Sequence, residues 1–111
     1  MAKKARKKKV RARTLTGEAR RIKYRCNGGC KATPKFAHMS PGDVVVLIAV
    51  NTNVTIDFRT ASPFESGTDP ITISEGNFRA EVVGTKKGTF AYTLKCSKCP
   101  TGHVDPEMIV P

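Results

Sequence analysis

Four cysteines, arranged as two close pairs, carry most of the chemistry that this 111-residue sequence could perform. Cys26 and Cys30 are separated by three residues, and Cys96 and Cys99 by two. Thiolates are favoured ligands of zinc, and the glycines or proline beside each pair let the backbone turn tightly around an ion. The spacing therefore predicts a structural zinc site made by all four cysteines, which would tie the start of the chain to its end and contribute folding energy.

Other arrangements of the same residues stay open. The four cysteines could form two disulfides or remain buried free thiols. A copper site is a further alternative, because the thiolate of Cys99, the imidazole of His103 and the thioether of Met108 are ligands that suit copper. Taken singly, His103 is expected in a surface loop and Met108 in the core.

Catalytic patterns are missing from the sequence. It holds no Ser/His/Asp order, no glycine-rich phosphate loop and no paired carboxylates near a histidine. A closed four-cysteine zinc site also lacks the open coordination position that zinc hydrolysis requires. We therefore expect that the protein is not an enzyme.

Basic charge is concentrated at the start of the chain. Residues 1–25 hold twelve Lys or Arg against one acid, whereas residues 26–111 hold eight of each. Residues 1 to about 20 of this basic arm are expected to be disordered alone and to order on a polyanion, with an affinity that depends on salt more than on nucleotide sequence. The residues predicted to bind nucleic acid are Lys3, Lys4, Arg6, Lys7, Lys8, Lys9, Arg11, Arg13, Arg20 and Arg21. They predict a partner that is RNA or DNA, for instance in a large ribonucleoprotein such as the ribosome. No membrane partner is expected, because the arm lacks an apolar anchor.

Neither an export signal nor a membrane span is predicted. No apolar core of a signal peptide follows the basic stretch, and the longest apolar run, residues 44–50, is too short to cross a bilayer. We therefore expect a cytoplasmic protein. A reducing compartment favours metal ligation by the cysteines over disulfides.

Short alternating segments separated by turn residues predict an all-β fold. The expected strands cover residues 21–25, 43–50, 54–59, 71–74, 78–83, 89–95 and 104–110. A short helical turn is expected within residues 31–40, and a loop over residues 60–70. The strand over residues 43–50 is apolar on both faces and is therefore expected to be central. The pattern predicts a β-sandwich or barrel in residues 21–111, preceded by a basic arm in residues 1–20.

Three blocks of sequence resemble the cupredoxins, a family of small copper-binding Greek-key β-sandwiches. The blocks are residues 39–45, which enter a central strand, the turn at residues 73–76, and the strand over residues 88–92 that leads to Cys96. The resemblance implies copper held by a Cys, a His and usually a Met of the last loop, with a His from an upstream strand. Cys99, His103 and Met108 match the loop ligands, and Asp57 is the nearest upstream candidate. In this fold an N-terminal strand can lie beside the strand that ends at Cys96, which would bring the two cysteine pairs together.

These features predict a non-enzymatic, zinc-stapled, cupredoxin-like β-sandwich that a basic arm attaches to RNA or DNA. The alternative is a copper-binding cupredoxin for electron transfer or copper handling.

Overall fold

The computed structural model describes residues 20–99 and 105–111 as an all-β structure. Its strands are β1 (Arg20–Cys26), β2 (Cys30–Thr33), β3 (Phe36–His38), β4 (Val44–Ala49), β5 (Val54–Phe58), β6 (Ile71–Ile73), β7 (Phe78–Val82), β8 (Gly88–Cys96) and β9 (Glu107–Val110). No helix with the length and apolarity of a membrane span occurs in these two ranges. The predicted all-β fold class is confirmed.

The strands form two mixed sheets. One sheet has four strands in the order β2-β1-β4-β7, and the other has five in the order β3-β9-β8-β5-β6. The pairs β1–β4 and β3–β9 are parallel, and the remaining neighbours are antiparallel. The chain therefore crosses between the sheets several times, and the last strand, β9, pairs with the much earlier strand β3.

The core lies between the two sheets and follows directly from the alternation of apolar side chains. On β8, every second residue from Phe90 to Cys96 is buried, and Ile22 and Tyr24 are the buried residues of β1. Because neighbouring side chains on a strand point to opposite faces, this period of two puts all of them on the inner face. The hydroxyls of Tyr24 and Tyr92 meet across the core at 3.0 Å.

Two short strands replace the helical turn predicted within residues 31–40, so that local prediction is wrong. β2 folds back on β1 after a turn that contains Gly28 at φ 68° and Gly29 at φ 143°. β3 instead joins the other sheet, where it pairs with β9 from the far end of the chain. Both segments become strands through pairing, which a reading of the local residues does not reveal. The last strand begins at Glu107 rather than at 104, after Pro106, which has no backbone N–H to donate.

The central position predicted for the strand over residues 43–50 is confirmed, although only one of its faces is covered. β4 lies between β1 and β7, and its inward side chains Val45, Leu47 and Ala49 are buried. Its outward side chains, Val44, Val46 and Ile48, remain only half-buried. The structure therefore leaves apolar side chains of this strand on an outer surface.

Candidate functional site

All four cysteines lie at one end of the sandwich, which we call the cysteine pole. Cys26 ends β1, and Cys30 begins β2 after the glycine turn. Cys96 ends β8, and a tight turn in which the Cys99 amide donates to the Cys96 carbonyl (3.1 Å) brings Cys99 back beside it. The two cysteine pairs thus come together, as the sequence predicted, because strands of the two facing sheets end at the same pole.

The cysteines are joined as two disulfides rather than gathered around an ion. Cys26 bonds to Cys99 and Cys30 bonds to Cys96, with Cα–Cα separations of 5.8 and 5.6 Å. A sulfur in a disulfide is not a thiolate, so it cannot serve as a zinc ligand. Among residues 20–99 and 105–111, no cluster of three or more potential metal-ligating side chains is found. The predicted four-cysteine zinc site is therefore wrong.

The two disulfides differ in their access to solvent. Cys30 and Cys96 are buried, with relative exposures of 0% and 3%. Cys26 and Cys99 are half-buried. Thiol–disulfide exchange requires a thiolate to reach a sulfur atom, so the outer Cys26–Cys99 bond is the one open to reduction, and the inner bond is protected.

Hydrogen bonds hold the cysteine pole in addition to the disulfides. Asn51 receives the Cys26 amide on its Oδ1 (2.8 Å) and donates its Nδ2 to the Cys26 carbonyl (3.0 Å). The buried hydroxyl of Thr52 accepts the Lys98 amide (3.1 Å), and the Ser97 amide donates to the Asn53 carbonyl (3.0 Å). Strand β1, which carries Cys26, and the turn after β8, which carries Cys99, are therefore both tied to the loop that joins β4 to β5.

The alternative copper ligands are not assembled at this pole. Met108 lies opposite Phe90 on β8. Phe90 precedes Cys96 by six residues, so Met108 is about 20 Å from Cys96 along the strand direction. Met108 is fully buried in the core, in line with its expected packing role. Cys99 is bonded to Cys26, and His103 lies outside the described residues.

Upstream residues do not complete a copper site either. The residue opposite Cys96 on the neighbouring strand is Val54, which has no ligand atom. Asp57 is exposed on the outer face of the same sheet. His38 pairs with Ile109, which in turn pairs with Thr89, and it therefore belongs to the opposite end of the sandwich. The ligand set that the family resemblance implies does not fit the described residues in their disulfide-bonded form.

Only two of the residues predicted to bind nucleic acid are described. Arg20 pairs with Asp43 at 2.9 Å, and Arg21 is exposed on β1. The other eight, and most of the arm proposed for residues 1–20, fall outside the described residues. The sequence-based function, a zinc-stapled domain associated with nucleic acid, is contradicted because its zinc site does not form. No described contact supports association with RNA or DNA.

Comparisons with known proteins identify the fold. No protein-family model and no curated protein sequence matches the chain. Among solved structures, the reduced state of an amicyanin variant superposes with a TM-score of 0.57 at 16% identity, covering 84% of this chain and 82% of amicyanin. Pseudoazurin from Methylobacterium extorquens superposes with a TM-score of 0.58 at 18% identity, covering 84% of this chain and 75% of that one. A reduced Cu(I) form of another amicyanin variant gives a TM-score of 0.53 at 14% identity, with coverages of 84% and 82%. The resemblance noted in the sequence is thus confirmed, and the chain has the cupredoxin fold.

Proposed function

We propose that this protein handles copper, and that the reduced Cys26–Cys99 pair takes up one Cu(I) ion as cargo. The observation that carries the proposal is the half-exposed disulfide at the end of β8, in a fold shared with proteins described as Cu(I) forms. The proposal keeps the copper alternative of the sequence analysis but changes its ligands. Met108, which is buried opposite Phe90, has no part in it.

In its oxidised form the cysteine pole has no thiolate to bind copper, and reduction of the outer disulfide provides two. Two electrons and two protons from a dithiol reductant, or from a thiol–disulfide oxidoreductase, convert the Cys26–Cys99 bond into two thiols. Cu(I) is soft and prefers thiolate ligands, so one ion replaces the two thiol protons, which are released. Reoxidation of the pair removes both ligands and would discharge the ion.

The inner disulfide and the hydrogen bonds of the pole suit such a cycle. Cys30–Cys96 still links the two sheets when the outer bond is open, because it is buried away from the reductant. Asn51 holds the backbone of Cys26 on both sides, and Thr52 holds the amide of Lys98 next to Cys99. The thiols of Cys26 and Cys99 therefore stay near each other when the bond between them is open.

Transport of an ion fits this pole better than one-electron transfer through a resident copper. The described pole contributes no imidazole, and Met108 lies near the other end of β8. A carrier also needs no catalytic group, which agrees with the expectation that the protein is not an enzyme. That expectation stays a prediction.

The experiment is an anaerobic competition for Cu(I) between the mildly reduced protein and a chromogenic chelator. We expect one Cu(I) per chain, with alkylation and mass spectrometry finding free thiols at Cys26 and Cys99 only. The variant Cys26→Ser/Cys99→Ser should lose the ion. Met108→Leu and His38→Ala are the matched controls and should keep it. Retention of the ion by the double serine variant, or no competition by the wild type, would overturn the proposal.

The disulfides also bear on location. Disulfides form and persist in oxidising compartments, whereas the lack of an export signal led us to expect a reducing, cytoplasmic one. We propose a location where oxidised cysteines and a thiol reductant coexist. Quantifying the thiols after rapid acid quenching of cells would test this, because fully reduced cysteines would contradict it.

A further inference from the structure

The outer face of the four-stranded sheet carries a continuous apolar strip. The strip consists of outward side chains on the two neighbouring strands β4 and β7, namely Val44, Val46, Ile48, Phe78, Ala80 and Val82. The strand register pairs Val44 with Val82, Val46 with Ala80, and Ile48 with Phe78. Phe78 is 68% exposed, an unusual state for a large aromatic side chain.

A row of basic side chains runs beside the apolar strip. It is formed by outward residues of β1 and β2, all exposed: Arg21, Lys23, Arg25 and Lys31. Arg21 pairs with Val46 and Lys23 with Ile48, so the basic row directly borders the strip. The one acid of these four strands, Glu81, points inward, where Ser66 donates to it at 2.8 Å and Arg79 pairs with it. Glu65 lies beside Val82, at the end of the strip away from Phe78.

Three neighbouring strands of the other sheet show what a solvated face looks like in this protein. The outward residues of these strands, β8, β5 and β6, are mainly threonines and charged residues: Thr89, Ala91, Thr93, Lys95, Thr55, Asp57 and Thr72. An antiparallel sheet normally exposes such a polar face to water. The other sheet also exposes one large apolar side chain, Phe36, on its edge strand β3, but in the four-stranded sheet such side chains are paired across two neighbouring strands.

We infer that this face docks on an anionic lipid surface. Its basic row complements the negative charge of the headgroups, and the strip provides apolar side chains that can enter the interface at the Phe78 end. The sequence-based expectation of no membrane depended on the lack of an apolar anchor in the basic arm. Phe78, Ile48 and the 37%-exposed Val50 supply that anchor from the folded domain.

Charge also decides between lipid and a second copy of the chain. Each copy carries a net charge of +11, so two copies facing each other repel. Residues 1–19 hold eight Lys or Arg against one Glu, which adds to the attraction for a negative surface. Stable attachment to membranes generally takes two signals, and a basic segment together with an apolar anchor is such a combination.

The test uses the full chain and vesicles of phosphatidylcholine, with or without phosphatidylglycerol, in a sedimentation assay. We expect binding only to the vesicles that contain phosphatidylglycerol, with weakening as salt rises. Phe78→Ser should reduce the affinity by at least about tenfold. Lys23→Gln/Lys31→Gln should reduce it by roughly 30-fold, at about fivefold for each charge.

Matched controls lie elsewhere on the same protein. Phe36→Ser removes a 51%-exposed phenylalanine from the other sheet, and Lys86→Gln/Lys87→Gln removes two lysines from the turn before β8. The phenylalanine control should bind like wild type, and the lysine control should lose far less affinity than Lys23→Gln/Lys31→Gln. No binding to anionic vesicles would overturn the inference and favour an acidic protein partner. Equal binding by wild type and Phe78→Ser would also overturn it, as would a dimer in solution that Phe78→Ser breaks.

Discussion

Tyr24 and Tyr92 are the two tyrosines of the chain, and both are buried in the core. Their rings meet edge to face with centroids 6.4 Å apart, and their hydroxyls share a hydrogen bond. Burial raises the pKa of both phenols above the usual value of 10, because the charged form would lose its hydration. The stability of the core therefore depends on pH in the alkaline range, where these phenols would ionise.

The tyrosine pair predicts a loss of stability at high pH. In the unfolded chain the phenols ionise near pH 10, whereas in the folded protein they stay neutral to a higher pH. The stabilisation is thus complete below pH 10 and is lost above it, at about 1.4 kcal/mol per pH unit for each tyrosine. Tyrosinate absorbance and circular dichroism should change together, in one cooperative step. Tyr24→Phe/Tyr92→Phe should lack this alkaline step, and ionisation near pH 10 with the fold intact would contradict the prediction.

At the scale of elements, two disulfides fasten the β1–β2 hairpin to the end of β8. They join residues 73 and 66 positions apart in sequence, so either one alone closes most of the folded chain into a loop. Such a loop is worth about 4 kcal/mol in the chain-entropy account. Once one bond is present, the other closes only the short ring through the turns at residues 26–30 and 96–99, which is worth about 2–3 kcal/mol.

The shared ring predicts that the two disulfides are not additive. Opening one bond by a pair of Cys→Ser changes should lower the free energy of unfolding by about 2–3 kcal/mol, and opening both by about 7 kcal/mol. The Cys30→Ser/Cys96→Ser variant should lose more than Cys26→Ser/Cys99→Ser, because it places hydroxyls in the buried core. Urea unfolding of the three variants measures these values. A Cys26→Ser/Cys99→Ser variant as unstable as the variant without disulfides would contradict the prediction. It would mean that the inner disulfide and the hydrogen bonds of the pole do not stabilise the fold once the outer bond is open.

At the scale of the whole molecule, positive charge is concentrated at the start of the chain. The described strands, both disulfides and the core all lie within residues 20–99 and 105–111. Residues 1–19 contribute +7 of the net charge of +11, so residues 20–111 carry only +4. Like charges on one molecule repel and oppose compact states, so this segment adds no stability through its charge.

Removing residues 1–19 should therefore leave the midpoint of thermal unfolding unchanged, or slightly raise it at low salt. The reason is that the truncation removes self-repulsion and none of the described strand pairs. Circular dichroism at low and high salt measures the effect, and the full chain at high salt is the control. A clear fall in the midpoint would mean that these residues contribute contacts to the fold, and that the predicted boundary at residue 20 is misplaced.

Several features of the candidate site follow from the sequence, and others do not. The alternation in β8 places Cys96 on the inner face after Phe90, Tyr92 and Leu94, and this was predictable from residue types alone. The grouping of the two cysteine pairs was predictable from the family resemblance. The choice between sulfur–metal and sulfur–sulfur bonds was not, because it depends on the redox state of the cysteines and on which cysteines of two separate sheets face each other.

The sequence by itself determined seven of the nine strand-forming segments and the cupredoxin-like order in which they follow one another, because alternation and turns are local. Tertiary structure decided which strands became neighbours. It turned residues 30–33 and 36–38 into strands of different sheets and placed Met108 about 20 Å from Cys96. It also covered one face of β4 and left the other as the apolar strip beside the basic row. Strand pairing and the packing of one sheet on the other join residues that are distant in the chain, and a local sequence pattern does not specify such contacts.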